Sequence, residues 1–213
     1  MSGRFPDRRT KSPFLWKEQK VRLQQLQDRG WEYLRAGAGS GRAPFTIMQA
    51  ATISITGAPA VRTVVLRRAA ESESLITFHT DVRSAKVAEL RADPRIALVG
   101  YDPEHMIQLR LEGVASVITD GNDKKTAWDS SREHSLVLYR TIHPPGTSIG
   151  SPDEAYAGQS NLHSTVLAGY ENFCIVRVSL KTFELLDLSM PANHKRAHFI
   201  HDGFEWKGQW IAP

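Results

Sequence analysis

With 213 residues, 41% of them hydrophobic, the chain is long enough to bury the core of one domain with a decorated edge, and no stretch reaches the about 18 consecutive apolar residues of a membrane span. Its single cysteine excludes an intrachain disulfide and a cysteine-rich zinc site, and points to a reducing, cytoplasmic setting. The net charge of +4, with no run of five basic residues, suits a small anionic ligand better than a nucleic-acid surface, which would also need aromatic platforms interleaved with the basic side chains.

Residues 1–15 are basic and have no apolar run behind them. They read as a mobile arm rather than a signal peptide, ahead of one domain over 16–213. Leu23, Leu26, Tyr33 and Leu34 recur near helical spacing and predict a helix over 16–36, ended by Gly37, Gly39 and Gly41. The pattern then changes to strands. Stretches 46–55 and 61–67 are rich in β-branched residues and are separated by the turn signal Thr56-Gly57-Ala58-Pro59; 75–80 follows as a third strand. Residues 84–92 read as a short helix with Ser84 as N-cap and Asp93-Pro94 as its stop. Next come a strand over 95–101 and a long one over 106–118. In the latter, alternation puts Ile107, Leu109 and Leu111 on one face and Gln108, Arg110 and Glu112 on the other.

A second helix is predicted over 122–138, then a Pro-, Gly- and Ser-rich loop over about 141–162, a length usually tied to function or disorder. Stretch 173–186 is a further strand, with Cys174 in it as a small buried hydrophobe. The chain closes on a hairpin, 199–201 with 204–206, around Asp202-Gly203 as a two-residue turn. Many antiparallel strands with few helices predict a mostly β barrel. There is no repeat, no phosphate-binding glycine loop and no metal-ligating cluster among the histidines.

The residues able to carry chemistry are densest between Arg62 and Lys86. Arg62 and Arg67 bracket one strand, Thr80 closes the next, and Ser84 and Lys86 open a helix. A helix start offers free backbone N–H groups and partial positive charge, and arginine adds bidentate bonds to phosphate, so this segment can build an anion pocket without glycines. The ordinary reading is solvated strand ends and a plain cap. Arg62 and Arg67, five apart, would also face opposite sides of a regular strand. Gln108 can hydrogen-bond a heterocycle edge or simply line the wet side of a sheet. His194 and Arg196 would share one side of an extended chain, as a proton-handling and anion-binding pair or as a common surface cluster.

Taken together these residues resemble the pyridoxamine 5′-phosphate oxidase family. Arg62-Thr63-Val64-Val65-Leu66-Arg67 resembles its Arg-x-Val-x-x-Lys strand, Phe78-His79-Thr80 its aromatic-Tyr-Thr strand end, and Ser84-Ala85-Lys86 its Ser-Arg-Lys helix start. Asp93-Pro94 and Gln108-Leu109 stand where the family has Asn-Pro and Gln-Val. The ending Trp206-Lys207-Gly208-Gln209-Trp210-Ile211-Ala212-Pro213 resembles Trp-Lys-x-x-Arg-Leu-Ala-Pro, and His194-Lys195-Arg196 resembles His-Asp-Arg. The likeness covers roughly 40–213.

The resemblance implies an antiparallel FMN-binding split β-barrel that works as a homodimer, with FMN between the subunits. It implies that Arg62 and Lys86 hold the flavin phosphate with Thr80 and Ser84, and that Thr63, Val64, Val65, Leu66, Arg67, His79 and Gln108 line the cofactor, joined by Arg196 of the partner subunit. On the substrate side it implies Arg67, Tyr139, His143 and Thr147, with His194 as the candidate catalytic contact. Gln159-Ser160 resembles the family's Gln-Ser pair. The departures are Ala192 for an arginine, Leu186 for the tryptophan that covers FMN, and Ala85 for the helix-start arginine, with Arg83 as a stand-in. The implied function is an FMN-dependent oxidoreductase of unidentified substrate, weak or inactive on vitamin B6 phosphates. The alternative is a flavin-binding protein without turnover.

Overall fold

β-Branched and aromatic residues at alternate positions give eight strands: β1 Ile47–Ile53, β2 Pro59–Ala70, β3 Leu75–Asp81, β4 Arg95–Asp102, β5 Ile107–Ile118, β6 Phe173–Asp187, β7 Lys195–His201 and β8 Trp206–Ile211. Around them lie α1 Pro13–Ala38, α2 Ala85–Ala92, α3 Gly121–Asp129 and α4 Glu133–Leu136. The structure is a computed structural model; it describes residues 13–39, 41–156 and 169–213, with side chains from Arg22 onward. Residues 1–12 of the expected arm and the pair Gln159-Ser160 lie outside the described residues. Pro13 already opens α1, so 13–15 belong to the helix and not to the arm.

All pairings are antiparallel, in the order β3-β2-β1-β4-β5-β6-β7-β8, and a further β3–β6 pairing closes β1 to β6 into a barrel. β6 is forked in its service. Its first half pairs with β3 from Phe173 to Ser179, its second half pairs with β7 from Thr182 to Asp187, and β5 accompanies it throughout. The barrel is therefore split where β6 leaves β3 and begins to carry the β7–β8 hairpin.

The inner faces meet in one core that includes Met48, Leu66, Phe78, Leu98, Leu109, Val178 and Phe183. α1 packs Trp31 and Leu34 into it, both with no exposed surface. Trp31 stacks on Phe183 with ring centroids 6.4 Å apart. The helix can lie this close because residue 30 is glycine: a Cβ there would stand 2.0 Å from Phe183 Cζ. Each large side chain so buried contributes roughly 1.5–3 kcal/mol. A smaller cluster, Trp128, Leu136, Tyr139, Phe173 and Ile175, fastens α3 and α4 to the outside of β6.

Three local expectations are corrected. The helix over 122–138 is broken: α3 stops at Asp129 and α4 restarts at Glu133. The Ser130 and Ser131 hydroxyls both donate to the Ala127 carbonyl, at 3.2 and 2.7 Å, and compete with the helical backbone pattern there. The terminal turn is longer than two residues, since the last pair is His201 with Trp206. Asp202 Oδ1 accepts the Phe204 and Glu205 N–H groups, each at 3.0 Å, and so stabilises the wider loop. Ser84 does occupy the N-cap position of α2, but its hydroxyl donates back to the Asp81 carbonyl at 2.7 Å rather than capping the helix.

Candidate functional site

At one end of the barrel β1, β2 and β3 meet the start of α2. Arg62 shares the inward parity of Val64 and Leu66, and Thr80 that of Phe78, so both reach this end from inside the sheet. Lys86, in the first turn of α2, donates to Thr80 Oγ1 at 2.6 Å and to Ser84 Oγ at 3.4 Å. Its ammonium is held below the usual lysine range, first by burial and then by the neighbouring Arg62 guanidinium. Two cations thus converge on a helix N-terminus, and the hydrogen-bond partners of Lys86 are hydroxyls rather than carboxylates. A group carrying two negative charges would relieve both the burial and the repulsion, so these residues fit a phosphate. The structure brings together Arg62, Thr80, Ser84 and Lys86 as the spacing suggested.

A second feature lies on the outer face. β2 carries a bulge between Leu66 and Arg68, and Arg67 is the extra residue. Arg67, Arg68, Val65 and His79 line a cleft of about 1000 Å³ whose opposite wall is α3 with Ser130, Ser131 and Ser135. That size is ordinary for a small-molecule site. Arg62 and Lys86 are not among the residues lining it, so the phosphate cradle and the outer cleft are distinct features that share strands β2 and β3. The expectation that Arg62 and Arg67 face different sides is met, with the bulge as the local cause.

His79 sits in the cleft with its ring edge-on to Phe173, centroids 4.8 Å apart. Burial, aided by Arg67, lowers its pKa from 6.5 to about 4, so the imidazole is neutral at physiological pH. The unfolded chain binds this proton near 6.5 and the folded chain only near 4. Between those values the unfolded state holds more protons, so stability must fall as pH falls. The expected loss from pH 7 to 4 due to His79 is about 2 kcal/mol. Urea melts of wild type and His79→Gln across this range should differ by that amount in slope against pH; parallel curves would show that His79 titrates normally.

The remaining expected residues divide. Tyr139 has its ring inside the smaller cluster, 5.0 Å from Phe173, and burial raises its hydroxyl to about 12 while Arg67 opposes the rise. It therefore lies toward Arg67, as expected, but mainly as a packing residue. His143 and Thr147 stand on an exposed loop, where Thr147 Oγ1 donates to the Pro144 carbonyl at 2.8 Å; within the protomer they do not join Arg67 in the cleft. Gln108, Leu186 and Arg196 form one cross-strand row over β5, β6 and β7. Arg196 is held there by Glu184, with Nε donating at 2.9 Å, and His194 is exposed in the turn before β7. Val64 and Leu66 point into the core, which leaves their backbone and the outward Thr63 and Val65 for contact with a ligand. Arg83 is no stand-in for the missing helix-start arginine: it is clamped by Asp81, with Nη2 donating at 2.7 Å, and by the Thr141 carbonyl at 3.1 Å.

Sequence reasoning missed Thr52 and Glu89, which sit beneath Arg62, and Thr77, Arg132 and Arg177 in the cleft wall. Alternation could have found Thr52, which shares the inward parity of Met48 and Ala50.

The barrel, its forked sixth strand and the cation pair at α2 define a flavoprotein of the FMN-binding split-barrel class. More particularly, residues 30–119 match the family described as the pyridoxamine 5′-phosphate oxidase FMN-binding domain; through them the chain belongs to that family, with FMN as its cofactor. Pyridoxine/pyridoxamine 5′-phosphate oxidase 2 of Arabidopsis thaliana is 32% identical over 131 residues, which cover 57% of this chain and 66% of that one. The oxidases of Rubrobacter xylanophilus and Microcystis aeruginosa are 33% and 36% identical over stretches spanning 46% and 41% of their lengths. The chain thus matches less than two thirds of these relatives. Among solved structures, an FMN-binding protein of Nostoc punctiforme aligns with a TM-score of 0.67 at 22% identity, over 96% of this chain and all of that one. PhzG of Burkholderia lata, solved with tetrahydrophenazine-1-carboxylic acid, aligns at 0.69 and 16% identity, over 99% and 98%.

Proposed function

We propose that the protein is an FMN-dependent oxidoreductase that acts as a homodimer on a small substrate other than the vitamin B6 phosphates. The carrying observation is the pair Arg62 and Lys86 converging on the start of α2, where a flavin phosphate would satisfy both. Bound FMN supplies the hydride-accepting chemistry; the chain binds and orients it. Arg62, Thr80, Ser84 and Lys86 hold the phosphate. The outer cleft, with Arg67 and the neutral His79, offers a fixed cation and an uncharged donor or acceptor to a bound molecule.

Dimerisation is supported by the outer sheet face, where Val61, Ile47, Tyr101 and Val114 keep 65%, 55%, 43% and 42% of their surface exposed. A second copy covering this face would let Arg196 of the partner subunit approach the flavin. A second reading, flavin held without turnover, is favoured by the exposed Ala192 and His194 and by the distance in the fold of His143 and Thr147 from the cleft lining. Anaerobic bleaching of the bound flavin by a candidate donor separates the two.

The test is titration with FMN, FAD and riboflavin, followed by light scattering. FMN should be quenched most tightly and the mass should be that of a dimer. A colourless protein that leaves FMN fluorescence unchanged, or a monomer with FMN bound, overturns the reading.

A further inference from the structure

Beneath the cradle lies a polar triangle that touches no ligand directly. Arg62 Nη2 donates to Glu89 Oε2 at 2.7 Å. Arg62 Nη1 donates to Thr52 Oγ1 and, at 3.1 Å, to the Ala60 carbonyl. Thr52 Oγ1 in turn donates to the same Glu89 oxygen at 2.6 Å. Glu89 and Thr52 keep only 7% and 3% of their surface, so the carboxylate is buried under the guanidinium that balances it. We infer that Glu89, seconded by Thr52, is a positioning residue that fixes which edge of the Arg62 guanidinium meets the flavin phosphate. The inference rests on the reading of the cradle as the FMN phosphate site.

The argument is geometric. A guanidinium has five N–H groups in a plane, arranged as an end formed by Nη1 and Nη2 and a side formed by Nε and Nη2. Glu89, Thr52 and the Ala60 carbonyl take the end. The side is left, with no partner for Nε among the described residues, and a two-hydrogen side edge matches two oxygens of a phosphate. Lys86 supplies the opposing force. It is a like charge close to Arg62, and without Glu89 it would drive the long arginine side chain out of the cradle. Glu89 therefore lets two cations share one site, and Thr52 fixes the carboxylate's position. The neighbouring acidic group costs the phosphate little, because its oxygen faces the far end of the guanidinium.

The test compares FMN with riboflavin, which lacks the phosphate, by fluorescence quenching on the full-length protein. Glu89→Ala should weaken FMN by about tenfold, the order expected when a rotamer-rich side chain loses its preorganised position, and leave riboflavin within about twofold. Glu89→Gln keeps an acceptor oxygen of the same reach and should recover most of the loss; Thr52→Val should show a smaller FMN-specific loss. If Glu89→Ala does not fold, Glu89→Gln and Thr52→Val still decide the matter. Equal losses for both flavins would mean a structural role only, and unchanged or tighter FMN binding would mean that the carboxylate merely opposes the phosphate; either result overturns the inference. A wild-type protein that binds riboflavin as tightly as FMN, or neither, overturns the underlying reading of the cradle instead.

Discussion

Replacing both cradle cations, Arg62→Ala with Lys86→Ala, is expected to weaken FMN binding by a hundredfold or more. Each removes a charge-assisted bond to the phosphate, worth about 1.5–3 kcal/mol, and each tenfold in affinity corresponds to about 1.4 kcal/mol. The two effects should fall short of additive. Lys86 is disfavoured in part by Arg62, so loss of either relieves the other. Lys86→Ala alone also frees the Thr80 hydroxyl, which can still donate to a phosphate oxygen. Titration at low and moderate salt should show the salt dependence of FMN binding shrink along with the affinity. A double variant within threefold of wild type would place the phosphate elsewhere.

The largest effect on stability is expected at Gly113. It lies where the β5–β6 register shifts, Glu112 pairing with Thr182 and Gly113 with Leu180. A Cβ on residue 113 would stand 2.3 Å from the Ser179 carbonyl oxygen and 3.0 Å from the carbonyl carbon. The obstacle is backbone of β6, the strand that closes the barrel, so no side-chain rotation relieves it. Gly113→Ala should cost about 3 kcal/mol or more and lower the melting temperature by roughly 10 °C. A melting temperature within about 2 °C of wild type would show that the shifted register absorbs a methyl group without cost.

Much of this was legible in the chain because strand physics is local. Ile107, Leu109 and Leu111 alternate with Gln108, Arg110 and Glu112, and burial follows that alternation through β5. The cradle was legible for the same reason: Arg62, Thr80, Ser84 and Lys86 stand at element ends that β-branched runs and turn residues mark. What was not legible depends on distant partners. The pairing of Leu75 with Ser179 joins residues that no local pattern relates. The bulge that extrudes Arg67 is set by the register against β3, and Leu66, Arg67 and Arg68 give no turn signal of their own. The break at Ser130-Ser131 depends on which carbonyl a hydroxyl finds. Glu89 looked like one more polar residue on a short helix, and only the fold shows that it is buried beneath Arg62.

The forked strand has a consequence for how the chain can be divided. Residues 30–119, the part that defines the family, contain β1 to β5 but not β6. In the whole protein β6 covers β3 on one side and β5 on the other. Cut away from β6, that segment would present two bare sheet margins, each with a row of unpaired amide and carbonyl groups ready to template on a neighbouring chain. The stretch that carries most of the cradle is thus the stretch least able to live alone, and the closing strand serves as protection against self-association as well as a wall of the barrel.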